Sequence, residues 1–370
     1  MSRNAGIVAG MHVSMIVEED DIEALVVGGA LLGGGGGGSL AEGRRLGLAA
    51  LHLGRPTLIS IDGLAEDDLL VTVSAVGAPA AREKRIEPDD FIRAVQLLRA
   101  HLDRGIAGLI SSENGGVSTV NGLLQSAALG IPVVDAPCNG RAHPTGLMGS
   151  MALGEAHGYT SRQAAVGGNR DTGRHLELYV EAPPTRSDAL VRQAAMEAGG
   201  LVAVARNPVH AGYVRKHGAP GAIHMALELG RLILRERGLG GEAVARKIAA
   251  ALDGQVIGFG AVDTFEIETS GGYDLGRLTV GDVELTFWNE YATAERGGVR
   301  LATFPDLIST LDTCDGTPRT SADLERGTDV IILSVPHTRL ILGAGMRVKK
   351  HFRAVEEAIK QPIVRYVFKD

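Results

Sequence analysis

Apolar residues recur along the first 170 positions in two periods, one helical and one of strands, and the two alternate. Residues 20–32 open on Asp20, Asp21 and Glu23 and continue as an apolar run, which predicts a helix with an acidic first turn. Residues 40–51 repeat the helical period through Leu40, Leu48 and Leu51 after Ser39, a residue suited to capping. Between them stand six consecutive glycines, 33–38. A loop without side chains lets backbone approach a ligand or take dihedrals that a Cβ forbids, and one leading into a helix start presents free N–H groups. Tight helix packing and a flexible linker are the alternatives. A phosphate loop is not, because no Gly-Lys-Ser/Thr follows and a helix, not a strand, precedes.

Strand-like runs follow at 56–61 and 69–76, the second ending in Gly77-Ala78-Pro79. A helix is predicted from Pro88 to about Leu102, then a buried strand at 106–110, a loop at 111–116, a helix at 117–128 and a strand at 131–135. This alternation predicts an α/β fold, with a three-layer N-terminal domain on a mainly parallel sheet. Ligands of such sheets bind beyond the carboxyl ends of the strands, which groups the loops 77–79, 112–116 and 135–144 in space. Past residue 172 the pattern changes. Helices are expected at 187–198, 222–236 and 241–252 and near 352–359, and Pro305 to Ile308 reads as a loop-to-helix junction. Strands are expected at 175–181, 201–205, 255–258, 262–269, 273–280, 283–289 and 330–335, with hairpin turns at Gly271-Gly272 and Gly281-Asp282. The expected domains are 12–172 and 173–366, the second an α+β unit rich in antiparallel strands that completes a cleft.

Length and composition narrow the class. The chain has 370 residues, enough for two domains; 45% are hydrophobic and 22% charged, as in soluble globular proteins. A net charge of -7 with dispersed Lys and Arg argues against a nucleic-acid or acidic-membrane surface. The apolar stretch 11–17 is too short to span a bilayer and no signal-peptide pattern is present, so a cytoplasmic location is expected. Cys138 and Cys314, the two cysteines, are then expected to be free thiols.

Candidate chemistry gathers in two loops. Cys138 has Asp135, Asn139, Arg141 and His143 within five residues; a nearby cation would lower its pKa and make it a nucleophile, while a buried small filler is the alternative. Glu113 and Asn114 suit a general acid or base with a ligand-binding neighbour, or a helix cap. Phe287-Trp288-Asn289-Glu290 offers polar ligand recognition beside an aromatic, or a strand edge. His210, His217 and His224 recur every seven residues, but Pro208, Pro220 and Gly221 would break the helix that could align them. No cofactor or metal is predicted; a divalent ion held by Asp135, His143 and Glu113 is left open.

Several of these segments together resemble one family. Gly29-Ala30-Leu31-Leu32 with the glycine run, Val76-Gly77-Ala78-Pro79, Glu113-Asn114-Gly115-Gly116, Pro132 to Ala136 and Gly140-Arg141-Ala142-His143-Pro144 carry the resemblance in the first half. Gly218-Ala219-Pro220-Gly221, Phe287 to Glu290 and Phe304-Pro305-Asp306-Leu307-Ile308 carry it in the second. The chain looks like a member of the S-methyl thiohydantoin desulfurase family, also called DUF917, over about residues 18–345. The resemblance implies hydrolytic removal of sulfur from a thiohydantoin or S-methyl thiohydantoin ring, in breakdown of thiones such as ergothioneine. A cyclic ureide is then the substrate, and hydantoin and sulfide or methanethiol the products. It leaves as alternatives an accessory subunit of a hydantoinase or oxoprolinase system and a hydantoin-type cyclic amidohydrolase. Cys138, Glu113 and His143 are the expected catalytic residues. Gly35, Gly36, Gly37, Ser39, Pro79, Asn114, Asp135, Asn139, Arg141, Asn289 and Glu290 are the expected substrate contacts, with Arg141 pairing a substrate carboxylate. A homo-oligomer is the expected assembly. The segment Pro137-Cys138-Asn139 departs from many relatives, so Cys138 either marks a subgroup with a thiol nucleophile or is dispensable.

Overall fold

A computed structural model describes residues 14–78 and 81–368. Strand β1 (Ser14–Ile16) precedes α1 (Glu19–Gly33), α2 (Leu40–Leu53), β2 (Thr57–Ile59), β3 (Leu69–Gly77), α3 (Pro88–Arg99) and β4 (Gly108–Ser111). Then come α4 (Leu123–Leu129), β5 (Val133–Val134), β6 (Ser161–Gly167), β7 (Leu176–Ala182), α5 (Pro184–Glu197), β8 (Leu201–His210) and α6 (Ala211–His217). The eight strands form one mixed sheet in the order β1-β2-β5-β4-β3-β8-β6-β7. Its centre, β2-β5-β4-β3, is parallel; β1 on one side and β8, β6 and β7 on the other run antiparallel.

Alternation along the strands explains the layers. Val71 and Val73 of β3, Leu109 of β4 and Val133 of β5 face a core shared with helices α1 to α4. The intervening Leu70, Ile110 and Val134 pack on the other face, where Val214 of α6 joins them. Val191 and Ala195 of α5 cover the same face at β8 and β6 through Val202, Val204 and Ala165. The domain is thus three layers.

The second half begins with α7 (Ala222–Glu236) and α8 (Gly241–Leu252) and continues as β9 (Gln255–Ser270), β10 (Tyr273–Val280), β11 (Val283–Trp288) and β12 (Glu290–Arg296). It ends with β13 (Val299–Thr303), β14 (Leu307–Asp312), β15 (Pro318–Arg319), β16 (Asp329–Val335), α9 (Lys349–Ile359) and α10 (Val364–Val367). These strands pair antiparallel throughout, in the order β13-β12-β11-β10-β9-β16-β14-β15. The sheet curls so that Leu278, Leu285, Tyr291, Ile308 and Ile332 meet in one inner cluster. Its other face, with Leu307, Leu311, Ile331 and Leu333, rests on α8, and this core is continuous with that of the first sheet. Helix α7 crosses α1 closely enough that a Cβ on Gly28 would lie 1.8 Å from the Ala226 carbonyl oxygen, and one on Gly230 would lie 1.8 Å from that of Ala24. Backbones this close leave room for glycine alone.

Four departures from the sequence expectations bear on the architecture. The first sheet continues past residue 172: β7 pairs with β6, and β8 inserts between β3 and β6. A boundary at 172 would separate the two strands of a hairpin. Helix α4 is shorter than the predicted 117–128, because Val117 and Ser118 donate their backbone N–H groups to the Gly37 carbonyl at 2.9 and 3.1 Å and Gly122 takes a φ of 113°. The strands predicted at 255–258 and 262–269 are one bent strand, β9, which changes partner from β16 to β10 near Val262. Leu307-Ile308 begins a strand rather than a helix.

Candidate active site

A cavity of about 760 Å³ lies at the carboxyl ends of β3 and β4. The glycine loop and the start of α2 form one wall, and Gly77, Ser112, Glu113, Ser118 and the segment from His143 to Gly146 form the floor. Arg192 of α5 and Arg206 of β8 line a third side. The second domain closes over these with Asp274, Asn289, Glu290 and residues 320–323. A cavity of this size can hold a small molecule.

The glycine loop works by proximity. Gly34, Gly35, Gly37 and Gly38 all take positive φ, from 55° to 93°. A Cβ on Gly36 would fall 2.0 Å from Oε1 of Glu290, and one on Gly37 would fall 2.5 Å from the Cα of Gly115. The loop is therefore both packed against two neighbouring segments and exposed to the cavity. Ser39 caps α2, its Oγ accepting from the Glu42 N–H at 3.3 Å, so the positive end of the helix opens on the same space.

Glu113 and His143 meet on the floor of the cavity. One oxygen of Glu113, Oε2, accepts the His143 backbone N–H at 3.1 Å and lies 3.2 Å from its Nε2. The other, Oε1, accepts the Ser118 hydroxyl at 3.0 Å. Burial lowers the pKa of His143, against the opposing pull of Glu113, so the imidazole is neutral at neutral pH. Sequence patterns pointed to Glu113, His143, the glycines and Ser39, but gave no sign of Ser118, Arg192 or Arg206. Arg206, 2% exposed, keeps Nη1 3.7 Å from Asp188 and has no partner for Nε among the described residues. The one available signal was a charged residue continuing the apolar run of β8.

Other expected site residues are not brought to the cavity wall. Cys138 is fully buried; its thiol contacts the Thr72 hydroxyl at 3.3 Å, and burial pushes its pKa up to about 11, the opposite of nucleophile activation. Asn114 donates to the carbonyls of Gly140 and Ala222 at 3.2 and 2.7 Å and accepts from Thr119. Asn139 bridges the Arg141 carbonyl and the Gly343 N–H. Arg141, also fully buried, directs Nε to the Ala142 carbonyl and Nη1 to those of Pro305 and Asp306, with its guanidinium 4.6 Å above the Phe304 ring. It ties the two domains together where the sequence suggested a substrate contact. Pro79 lies outside the described residues. Asn289 and Glu290 do line the cavity.

Asp135 accepts the N–H groups of Ile223 and His224 at 2.7 and 3.3 Å, and so caps α7. Among the described residues no three His, Cys, Asp or Glu side chains are grouped as a metal site requires, and Asp135 is occupied away from Glu113 and His143. His210 and His217 belong to the segment around α6 and His224 to α7, so the three share no helical face. Burial raises Asp135 from the ordinary 3.8 to about 6. The folded protein then holds this proton more tightly than the unfolded chain, a contribution present below pH 3.8 and lost as pH rises through about 6. Between pH 4 and 6.5 the wild type is expected to lose stability relative to Asp135→Asn by an amount on the order of 3 kcal/mol. Parallel denaturation curves for the two proteins across this range would refute the titration.

These features define a two-domain α/β protein whose polar cavity sits at the carboxyl ends of parallel strands under a second, antiparallel domain. The chain belongs to the S-Me-THD-like family: residues 20–172 match its N-terminal domain and residues 182–347 its C-terminal domain. A crystal structure of a protein from Chromobacterium violaceum, a structural genomics target, superimposes with a TM-score of 0.70 at 22% identity over 95% of this chain and 99% of that one. That likeness concerns the fold. No curated protein matches the chain. Among the described residues no helix is long and apolar enough to cross a membrane.

Proposed function

We propose that the cavity hydrolyses the C2–sulfur bond of an S-methyl thiohydantoin, giving a hydantoin and methanethiol, with water activated by Glu113 and His143. The observation that carries this reading is the close contact of the Glu113 carboxyl group and the His143 imidazole, 3.2 Å apart on the floor of the cavity. Such a pair can hold a water and take its proton. Ring C2, bonded to sulfur and two nitrogens, is the electrophile. Negative charge arising on the ring is steadied by the start of α2 and the glycine loop. Arg206 and Arg192, rather than Arg141, meet an anionic ring substituent.

Water is favoured over Cys138 as the attacking group because the thiol is buried behind Thr72 with a raised pKa. Cys138→Ala is expected to release thiol from an S-methyl thiohydantoin within about 3-fold of the wild-type rate, at a stability cost of about 1–2 kcal/mol for the small void. A loss beyond 100-fold in a folded variant would restore the covalent route. The same assay tests the reaction class. Ring-opened product without thiol would identify a cyclic amidohydrolase, and ligand binding without turnover an accessory subunit.

A further inference from the structure

We propose that Glu290 is the proton donor to the departing sulfur. This rests on the desulfurase reading above and adds the acid that Glu113, as base, leaves wanting. Glu290 lines the cavity yet is only 4% exposed. It is held in place through Asn289, whose φ of 58° turns the chain between β11 and β12. Asn289 exchanges bonds with the Asp274 backbone at 2.7 and 2.9 Å, and its carbonyl accepts the Ser321 hydroxyl at 2.9 Å. The carboxyl lies against Gly36, where no side chain separates it from the loop, and its Oε2 has no hydrogen-bond partner among the described residues.

The charges around Glu290 favour its neutral form. Burial, then repulsion from Glu113, hold it well above the usual carboxylate range, outweighing the attraction of Arg141 and Arg192. Arg141 aims Nε and Nη1 at backbone carbonyls, and Arg192 aims Nη1 at those of Gly77 and Gly272, so neither donates these groups to Glu290. Two carboxyl groups in one cavity can divide the roles of base and acid when burial favours the neutral form of one of them.

The reaction balances as follows. Water oxygen bonds to C2, one water proton passes to Glu113 and from it to the ring nitrogen that receives the C=N pair. The hydroxyl then loses its proton to Glu113 as C2=O forms. The C2–S bond breaks with its electron pair on sulfur, which takes the proton of Glu290 and leaves as methanethiol. Proton return from Glu113 to Glu290 resets the site.

The test compares leaving groups in wild type and Glu290→Gln, an isosteric change that keeps the fold. With an S-methyl thiohydantoin the variant is expected to lose roughly 10²-fold or more in kcat, because methanethiolate is a poor leaving group without a proton. With an S-(4-nitrophenyl) thiohydantoin, whose thiolate leaves unprotonated, the expected loss is under about 5-fold. An equal loss with both substrates, or no loss with either, would overturn the proposal while thiol release by the wild type upholds the desulfurase reading. Absence of thiol release from both substrates by the wild type would overturn both.

Discussion

Glu113→Gln is expected to lower thiol release by roughly 10²- to 10⁴-fold, the range measured when a general base is removed. The amide retains the shape of the carboxylate but cannot take a proton, and it sets an NH₂ group against either the His143 N–H or the Ser118 hydroxyl, which now donate to Glu113 at 3.1 and 3.0 Å. kcat and kcat/KM should fall together, since Glu113 transfers protons in the transition state and adds nothing to ground-state binding. Hydantoin binding should stay within about 10-fold of wild type, because Glu113 moves protons in the transition state and does not anchor the bound ring. A variant with more than a tenth of the wild-type kcat would exclude Glu113 as the base. A selective rise in KM would make it a ligand contact.

The second large effect concerns stability. Arg141→Ala is expected to cost about 3–5 kcal/mol, the cost of breaking a buried polar network from one side. It would leave the carbonyls of Ala142, Pro305 and Asp306 without this donor, open a void beside Phe304 and remove a guanidinium that joins β14's approach to the loop after β5. Its pKa, pushed down to about 10 by burial, still leaves it charged at neutral pH. Arg141→Lys should recover only part of the loss, because a single ammonium cannot reproduce the planar fork. Urea denaturation decides the matter: a folded Arg141→Ala variant within 1 kcal/mol of wild type but with a KM raised more than tenfold would return Arg141 to the substrate-binding role that its sequence neighbourhood suggested.

That reversal shows where sequence reasoning stopped. The loop from Asp135 to His143 concentrates reactive side chains, and adjacency alone favoured a shared site. Its residues have no periodicity from which to read direction, and each side chain turns toward the partner that tertiary structure supplies. Asp135 meets the start of α7, Asn139 meets Gly343, Arg141 meets the carbonyls before β14, and Cys138 meets Thr72. His143 alone of the set reaches the cavity, held by Glu113.

By itself the sequence determined the elements and the order of the glycine loop: α1, the six glycines, the Ser39 cap and α2, and the strands that deliver Gly77 and Glu113 to one end of a sheet. Helix and strand periods, caps and turns act over a few residues, so they survive without knowledge of distant contacts. The tertiary structure alone decided that β8 enters the first sheet, carrying Arg206 to the cavity, and that the β11–β12 turn sets Glu290 against Gly36. These pairings join segments more than a hundred residues apart, and their geometry follows from burying two sheets around shared helices, a condition that no local pattern records.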